Sequence, residues 1–143
     1  MKFFVVALTL MSLIAACKPR QAVSVDLANA CAADNEKKYL TTTAYLDPGG
    51  SIFCSNTGGR MDCSLDAVAS SGGPRVFGAE IEEGSGANKI EKLESGYKLE
   101  QVKIHDNAGI IIKLTDKVRL TGEMNVVPGS TCFMEVDKIE KAQ

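Results

Sequence analysis

The chain has 143 residues, of which 45% are hydrophobic and 24% are charged, a composition typical of one folded globular domain and not of a disordered segment. Its 16 basic and 18 acidic residues give a formal net charge of −2, which argues against a dedicated nucleic-acid binder, since such proteins carry a basic surplus. One histidine and five cysteines largely exclude histidine-rich metal sites and most catalytic triads.

Residues 1–16 have the pattern of a bacterial signal peptide. Lys2 supplies a basic start, and residues 3–16 form an apolar stretch shorter than the roughly twenty residues that a membrane-spanning helix needs. Two alanines then precede Cys17, an ending that resembles the lipobox of bacterial lipoproteins. The resemblance implies cleavage before Cys17 and acylation of this residue, and Lys18 at the next position favours the outer membrane. A conventional signal peptide with a chance cysteine is the alternative.

The mature chain is expected to begin with a lipidated tether at residues 17–23 and to continue as a single domain over residues 24–143. Residues 24–38 predict a leading α-helix, because their apolar side chains fall on one stripe and Ser24 or Asp26 offers an N-cap. A tether of this kind would hold the domain close to the membrane surface.

A β-hairpin is predicted around the cysteines that follow. Residues 51–55 and 60–65 have the pattern of two strands joined by a tight turn at two consecutive glycines, which adopt the positive φ angles of such turns readily. This register places Cys54 opposite Cys63 in a non-hydrogen-bonded pair, where Cα atoms lie about 4.5 Å apart. That distance permits a disulfide.

Lipidation of Cys17 leaves four cysteines for disulfides. Since Cys54 is expected to pair with Cys63, Cys31 is predicted to pair with Cys132. This bond would close a loop of about a hundred residues and stabilise the fold strongly. Free thiols or a metal site are the alternatives. The cysteine spacings lack the close pairs typical of zinc sites, so we expect neither a metal nor another cofactor.

The rest of the chain predicts short strands and turns. Further strands are expected at residues 39–46, 76–81, 99–104, 109–114, 117–122 and 131–139. Asn88 is expected to cap a short helix that ends at Gly96. The fold class predicted is therefore mainly β with a leading α-helix, arranged as a small, partly closed antiparallel β-barrel.

The cysteine-terminated signal, the predicted leading helix, the strand at 40–46 and the late segment 116–122 together resemble exported bacterial OB-fold proteins of the tRNA-anticodon-binding-like type. The resemblance implies a small OB-like barrel that presents its second and third strands, with the loops after its first and fourth strands, to a ligand. On this chain that face includes Tyr45, Phe53 and Arg60. Aromatic rings and an arginine can stack on bases or sugars, but the family name records a shape and does not imply tRNA binding.

The sequence shows no catalytic constellation. His105 stands beside Asp106, but this pair falls where a strand ends and a turn begins, and no Gly-x-Ser-x-Gly motif supplies a nucleophile. We therefore expect a protein that is not an enzyme: a lipid-anchored, disulfide-stabilised binding module on the outer membrane, at its periplasmic or surface face. Its partners are expected to be the membrane and a protein, glycan or small ligand. Alternatives are an inhibitor of a hydrolase and a structural envelope component.

Overall fold

The structure, a computed structural model, describes residues 19–143, so Cys17 and the predicted signal peptide lie outside the described residues. The strands are β1 (Val23–Ser24), β2 (Tyr39–Asp47), β3 (Phe53–Thr57), β4 (Arg60–Val68), β5 (Arg75–Glu82), β6 (Ile104–His105), β7 (Ile111–Ile112), β8 (Val118–Val127) and β9 (Thr131–Lys141). Short 3₁₀ turns lie at Leu27–Asn29, Ala33–Asn35 and Leu99–Gln101. Within residues 19–143 no helix has the length and apolar character that crossing a membrane requires.

Seven strands form one sheet in the order β1-β2-β8-β9-β5-β4-β3, and β6 pairs with β7 separately. Strand β2 pairs with β4 as well as with β8, so that β2, β4, β5, β9 and β8 form a partly closed ring. Neighbours in this ring are antiparallel, except that β5 and β9 run parallel. These findings confirm the prediction of a mainly β protein whose sheet closes partly into a ring. The prediction of an antiparallel barrel is wrong at one place, because β5 and β9 pair in parallel.

The core lies inside the ring, because alternate residues of each long strand point inward. Along β2 the odd-numbered residues are half-buried and the even-numbered ones are buried, including Leu40 and Ala44. Burying a large side chain fully, as at Phe77, contributes about 1.5–3 kcal/mol. Other fully buried large side chains are Leu65, Ile81, Ile90, Leu120, Met124, Met134 and Ile139.

One glycine permits the two last long strands to approach each other closely. Gly122 lies where the register between β8 and β9 shifts. A Cβ atom at this position would lie 2.0 Å from the backbone oxygen of Glu135, far inside van der Waals contact. The backbone at this point of the ring therefore requires glycine.

Both predicted disulfides are present. Cys54 faces Cys63 across the β3–β4 hairpin in the predicted register, with their Cα atoms 4.0 Å apart. Cys31 and Cys132, which are 101 positions apart in the chain, join the segment before β2 to the start of β9, with their Cα atoms 5.9 Å apart. The bonds thus fix one local hairpin and one long-range contact.

The predicted leading α-helix at residues 24–38 is wrong, because this segment contains β1 and two 3₁₀ turns. The side-chain amide of Asn35 donates hydrogen bonds to the backbone oxygens of Asn29 and Ala30, at 2.9 and 3.2 Å. Lys37 then adopts a φ of +60°, which no α-helix accommodates. The apolar stripe is used nonetheless, since Ala30 is fully buried against the barrel.

The predicted helix from Asn88 to Gly96 is also absent. Asn88 has a φ of +60°, and its side-chain oxygen accepts a hydrogen bond from the backbone N–H of Ile139 at 2.8 Å. The segment then runs in an extended form through Ile90, which bridges Ile104. The strands predicted at 99–104 and 109–114 reduce to the two-residue strands β6 and β7.

Candidate binding cleft

The predicted face of Tyr45, Phe53 and Arg60 lies on the outside of the barrel but is widely spread. Tyr45 is opposite Val68 at one end of β4, Phe53 is opposite Ser64, and Arg60 begins β4. Because a strand rises about 3.3 Å per residue, Arg60 and Val68 are separated by about 26 Å. The three predicted residues therefore do not form one site, and only Arg60 lines a cleft on this face.

That cleft lies between the β3–β4 hairpin and the outer surfaces of β5 and β9, and its volume is about 500 Å³. Its shape follows from the sheet: the hairpin forms one wall, while the register places Glu80 of β5 beside Glu135 of β9 on the opposite side. We call this site the hairpin cleft. It is lined by Ser55, Thr57, Gly58, Arg60, Asp62, Glu80, Phe133 and Glu135.

Arg60 brings a positive charge to the hairpin cleft. Its Nε donates to Oδ1 of Asp62 at 2.6 Å, whereas its Nη2 is buried and has no hydrogen-bond partner in residues 19–143. Burial opposes the charge of Arg60, but the hydrogen bond to Asp62 and the negative charges of Asp62, Glu82 and Glu135 outweigh it, so the pKa of Arg60 is raised. The guanidinium thus stays charged. Solvent does not reach Nη2, but the Arg60 side chain as a whole is 33% exposed, so it offers the hairpin cleft its positive charge.

Two carboxylates in the hairpin cleft are likewise available. Glu80 forms no ion pair with any residue of the described part, and Glu135 accepts only one hydrogen bond, from the amide of Asn125 at 3.2 Å. The neighbouring Glu82, by contrast, is neutralised by Lys89 at 2.7 Å. The hairpin cleft therefore combines acceptors with a donor, beside the half-exposed ring of Phe133.

His105 has a structural environment remote from this chemistry. Its Nε2 lies 2.9 Å from a carboxylate oxygen of Glu91, and its Nδ1 lies 3.1 Å from the backbone oxygen of Gly109. The hydrogen bond to Glu91, together with the Gly109 carbonyl, raises the pKa of His105, and the same contact lowers the pKa of Glu91. Within residues 19–143 the ring nitrogens are hydrogen-bonded to Glu91 and to the Gly109 carbonyl, so His105 and Glu91 tie two loop segments together.

A group of three potential metal ligands comes together in the described residues. The sulfurs of Cys54 and Cys63 and a carboxylate oxygen of Glu83 lie within 4.8 Å of one another. Both sulfurs belong to a disulfide, however, and zinc binds cysteine as a thiolate. This group therefore offers one carboxylate and no metal site.

A second cleft, of about 570 Å³, lies beside the Cys31–Cys132 disulfide and the turn between β8 and β9. Its lining is mainly apolar or backbone, and its single charged side chain, Arg75, is 3.4 Å from Asp66. It offers a ligand fewer unpaired polar groups than the hairpin cleft does. We therefore regard the hairpin cleft as the candidate functional site.

The sequence interpretation missed Phe133 and Glu135. A usable signal was present in the strand predicted at residues 131–139, because Cys132, Met134 and Val136 alternate there with Phe133 and Glu135, which places the latter two on the outward face. The parallel pairing of β9 with β5, which brings Glu135 beside Glu80, cannot be read from alternation. In comparisons with known proteins, neither a protein-family model nor a curated protein sequence matches this chain.

Proposed function

We propose that this chain is a non-catalytic binding module of the bacterial envelope, held on the outer membrane by a lipid on Cys17. The basic start, short apolar stretch and terminal cysteine support the anchor, and the two disulfides suit an oxidising compartment outside the cytoplasm. Two or three acyl chains hold a protein far more firmly than one, since each buried CH₂ contributes about 0.8 kcal/mol.

We further propose that the barrel is an OB-like fold. Such a fold would explain the location of the hairpin cleft. When the ring strands β2, β4, β5, β8 and β9 are numbered one to five, their order around the ring is 1-2-3-5-4, with strand four again beside strand one. An OB-like barrel carries ligands on strands two and three, between the loops after strands one and four. The hairpin cleft is lined by strands two and three and by the loop after strand one, which contains β3, whereas the loop after strand four lines the second cleft.

The observation that carries the proposed function is the mixed set of polar groups in the hairpin cleft. A ligand there meets the positive charge of Arg60 and can donate hydrogen bonds to Glu80 and Glu135, beside the ring of Phe133. Sugar hydroxyls both donate and accept, and the apolar face of a sugar packs on an aromatic ring. Nucleic acid fits poorly, because phosphates would be repelled by the two carboxylates. We therefore propose a neutral glycan as the ligand.

Titration of neutral oligosaccharides into the purified full chain, followed by calorimetry, tests this proposal. Phe133→Ala should weaken binding at least about tenfold, because the stacking surface is lost. Phe53→Ala is the matched control: Phe53 is 71% exposed and lies outside the hairpin cleft, so binding should be unchanged. Absence of binding to any neutral glycan, or equal loss in both variants, would contradict the proposal.

The anchor is tested separately. Cys17→Ala should remove lipidation, so that the protein no longer partitions into detergent and no longer incorporates labelled fatty acid. A Cys17→Ala protein that stays in the membrane fraction and remains acylated would refute the anchor, whatever the result for the cleft.

A second candidate function, inhibition of a hydrolase, is favoured by one observation. Phe53 is the most exposed large hydrophobic residue among those described, and it begins the edge strand β3. An extended segment with a protruding aromatic residue is suited to enter an enzyme cleft. Here Phe53→Ala would abolish inhibition and Phe133→Ala would not, which is the opposite of the pattern expected for glycan binding.

A further inference from the structure

The outer edge of β3 is an unprotected sheet edge. β3 ends the seven-stranded sheet and pairs only with β4 along its length. Sheet edges in soluble proteins are commonly protected by charged residues, proline or a bulge. Phe53–Thr57 contains neither charge nor proline, its pairing with β4 is regular, and Phe53 is exposed.

The hydrogen-bond phase of the hairpin shows which backbone groups face this edge. The backbone oxygen of Met61 accepts from Glu83 on the β5 side, at 2.8 Å, so Met61 does not exchange bonds with Asn56 opposite to it. By alternation, the N–H and C=O groups of Asn56 and Cys54 point to the free edge. Ile52, two residues earlier, follows the same phase, and its N–H donates to the hydroxyl of Tyr97.

We propose that β3 is a self-association surface, which pairs antiparallel with β3 of a second copy about a twofold axis at Ser55. With this axis, Cys54 of one copy exchanges both backbone bonds with Asn56 of the other, which are the groups that face the edge. Phe53 then lies across from Thr57, and Ser55 lies across from Ser55. The strand is therefore complementary to itself in both hydrogen bonding and side-chain size.

Charge favours a second copy as the occupant. The edge presents no charged side chain that would select a foreign partner, and two such edges can meet without repulsion. The charged residues of β4 in the two copies would be three strand spacings apart, about 14 Å. That separation exceeds the Debye length of about 8 Å at physiological ionic strength, so the acidic groups of the hairpin cleft do not oppose the pairing.

A five-residue edge is small beside the roughly 1,200 Å² that stable interfaces bury, so we expect a weak dimer with a dissociation constant between about 10 µM and 1 mM. Attachment of both copies to one membrane would raise their effective concentration. The self-association does not depend on glycan binding in the hairpin cleft, and the anchor strengthens it without being required for it.

Sedimentation equilibrium of the purified full chain in density-matched detergent tests the proposal, because the twofold axis brings residue 55 against itself. Ser55→Lys and Ser55→Glu should each weaken the dimer about fivefold, since like charges would be directly opposed. An equimolar mixture of these two variants should associate more tightly than either variant alone. Ser71→Lys, the same change in the exposed turn between β4 and β5, is the matched control and should leave the dimer unchanged.

Asn56→Pro gives an independent measurement. It removes an N–H group that faces the edge and not β4, so the dimer should be weakened at least about tenfold. Proline also removes the turn hydrogen bond that Asn56 Oδ1 accepts from the Gly59 N–H, so an intact Cys54–Cys63 bond and a wild-type circular dichroism spectrum are the control that the hairpin has folded. A chain that is monomeric up to about 1 mM, or a dimer that Ser55→Lys does not weaken, would overturn the proposal. A mixture of Ser55→Lys and Ser55→Glu that fails to restore association would also overturn the proposal. That result is the one expected if the edge binds a foreign protein instead of a second copy.

Discussion

The two disulfides should contribute unequally to stability, with the Cys31–Cys132 bond contributing more than the Cys54–Cys63 bond. The first joins residues 101 positions apart, and the second joins residues only 9 positions apart. A crosslink stabilises a protein mainly by restricting the unfolded chain, and this restriction grows with the length of the closed loop. The double variants C31A/C132A and C54A/C63A each remove one bond and two sulfurs, so they form a matched pair.

Loop-closure entropy gives the size of the difference. A loop of about a hundred residues corresponds to about 4.7 kcal/mol of free energy of unfolding, and a loop of about ten residues to about 2.7 kcal/mol. Cys63 is fully buried, so replacing it with alanine also leaves a small cavity, which costs about 1 kcal/mol. C31A/C132A should therefore be less stable than C54A/C63A by about 1–2 kcal/mol.

Urea unfolding followed by circular dichroism, without reductant, measures both free energies. The slope of the free energy with urea should also rise more in C31A/C132A, because its unfolded chain is released from the larger loop. An equal loss in the two variants, or a greater loss in C54A/C63A, would refute the reasoning from loop entropy. Peptide mapping of the wild-type chain should recover only the 31–132 and 54–63 links.

Three further outcomes are expected. Gly122→Ala should lower the free energy of unfolding by about 3 kcal/mol, because the new Cβ must move about 1 Å away from the Glu135 carbonyl. Urea unfolding measures this loss, and a loss below about 1 kcal/mol would show that β8 and β9 separate easily. Glu91→Gln should lower the pKa of His105 toward 6.5, which NMR titration of this single histidine detects, and an unchanged pKa would contradict the Glu91 contact. In the wild type, the raised pKa of His105 adds to the free energy of unfolding at pH values below the unfolded pKa of about 6.5. This contribution is lost as the pH rises through the pKa of the folded state. His105→Ala should therefore remove that part of the pH dependence of urea unfolding.

The β3–β4 hairpin was predictable because its signals are local. Two glycines in the turn set the register, and that register alone placed Cys54 opposite Cys63. The ends of the strands were less accurate, since β8 continues to Val127 although the sequence predicted a strand ending at residue 122. The alternation in fact continues past Gly122, because Met124 and Val126 are buried on the same side as Leu120, so the predicted strand was ended too early at the glycine.

The sequence of residues 24–38 does not distinguish an α-helix from short 3₁₀ turns, because the same apolar residues can face the core in either conformation. What prevents a helix is tertiary: β1 pairs with β2, and Cys31 is held by Cys132. The left-handed conformation of Lys37 gives no sequence signal, since such a φ is unusual for lysine. Local preference is overridden here by contacts with residues far along the chain.

The candidate site was only partly predictable for a similar reason. Arg60 was named because the OB-fold resemblance implies that it lies on the ligand-binding face, whereas its partners in the hairpin cleft come from three other strands. Glu80 and Glu135 meet only because β5 and β9 pair in parallel. Parallel pairing joins strands that are distant in sequence, and nothing in either strand alone specifies its neighbour.

The position of β9 has a consequence for synthesis and processing. Because β9 lies between β5 and β8, the barrel cannot close until residues 131–141 have emerged from the ribosome or the export machinery. A protease that removed these residues would expose two interior strands at once, and each would offer unpaired backbone groups to other chains. We therefore expect C-terminally trimmed molecules to aggregate and not to persist as slightly shortened proteins.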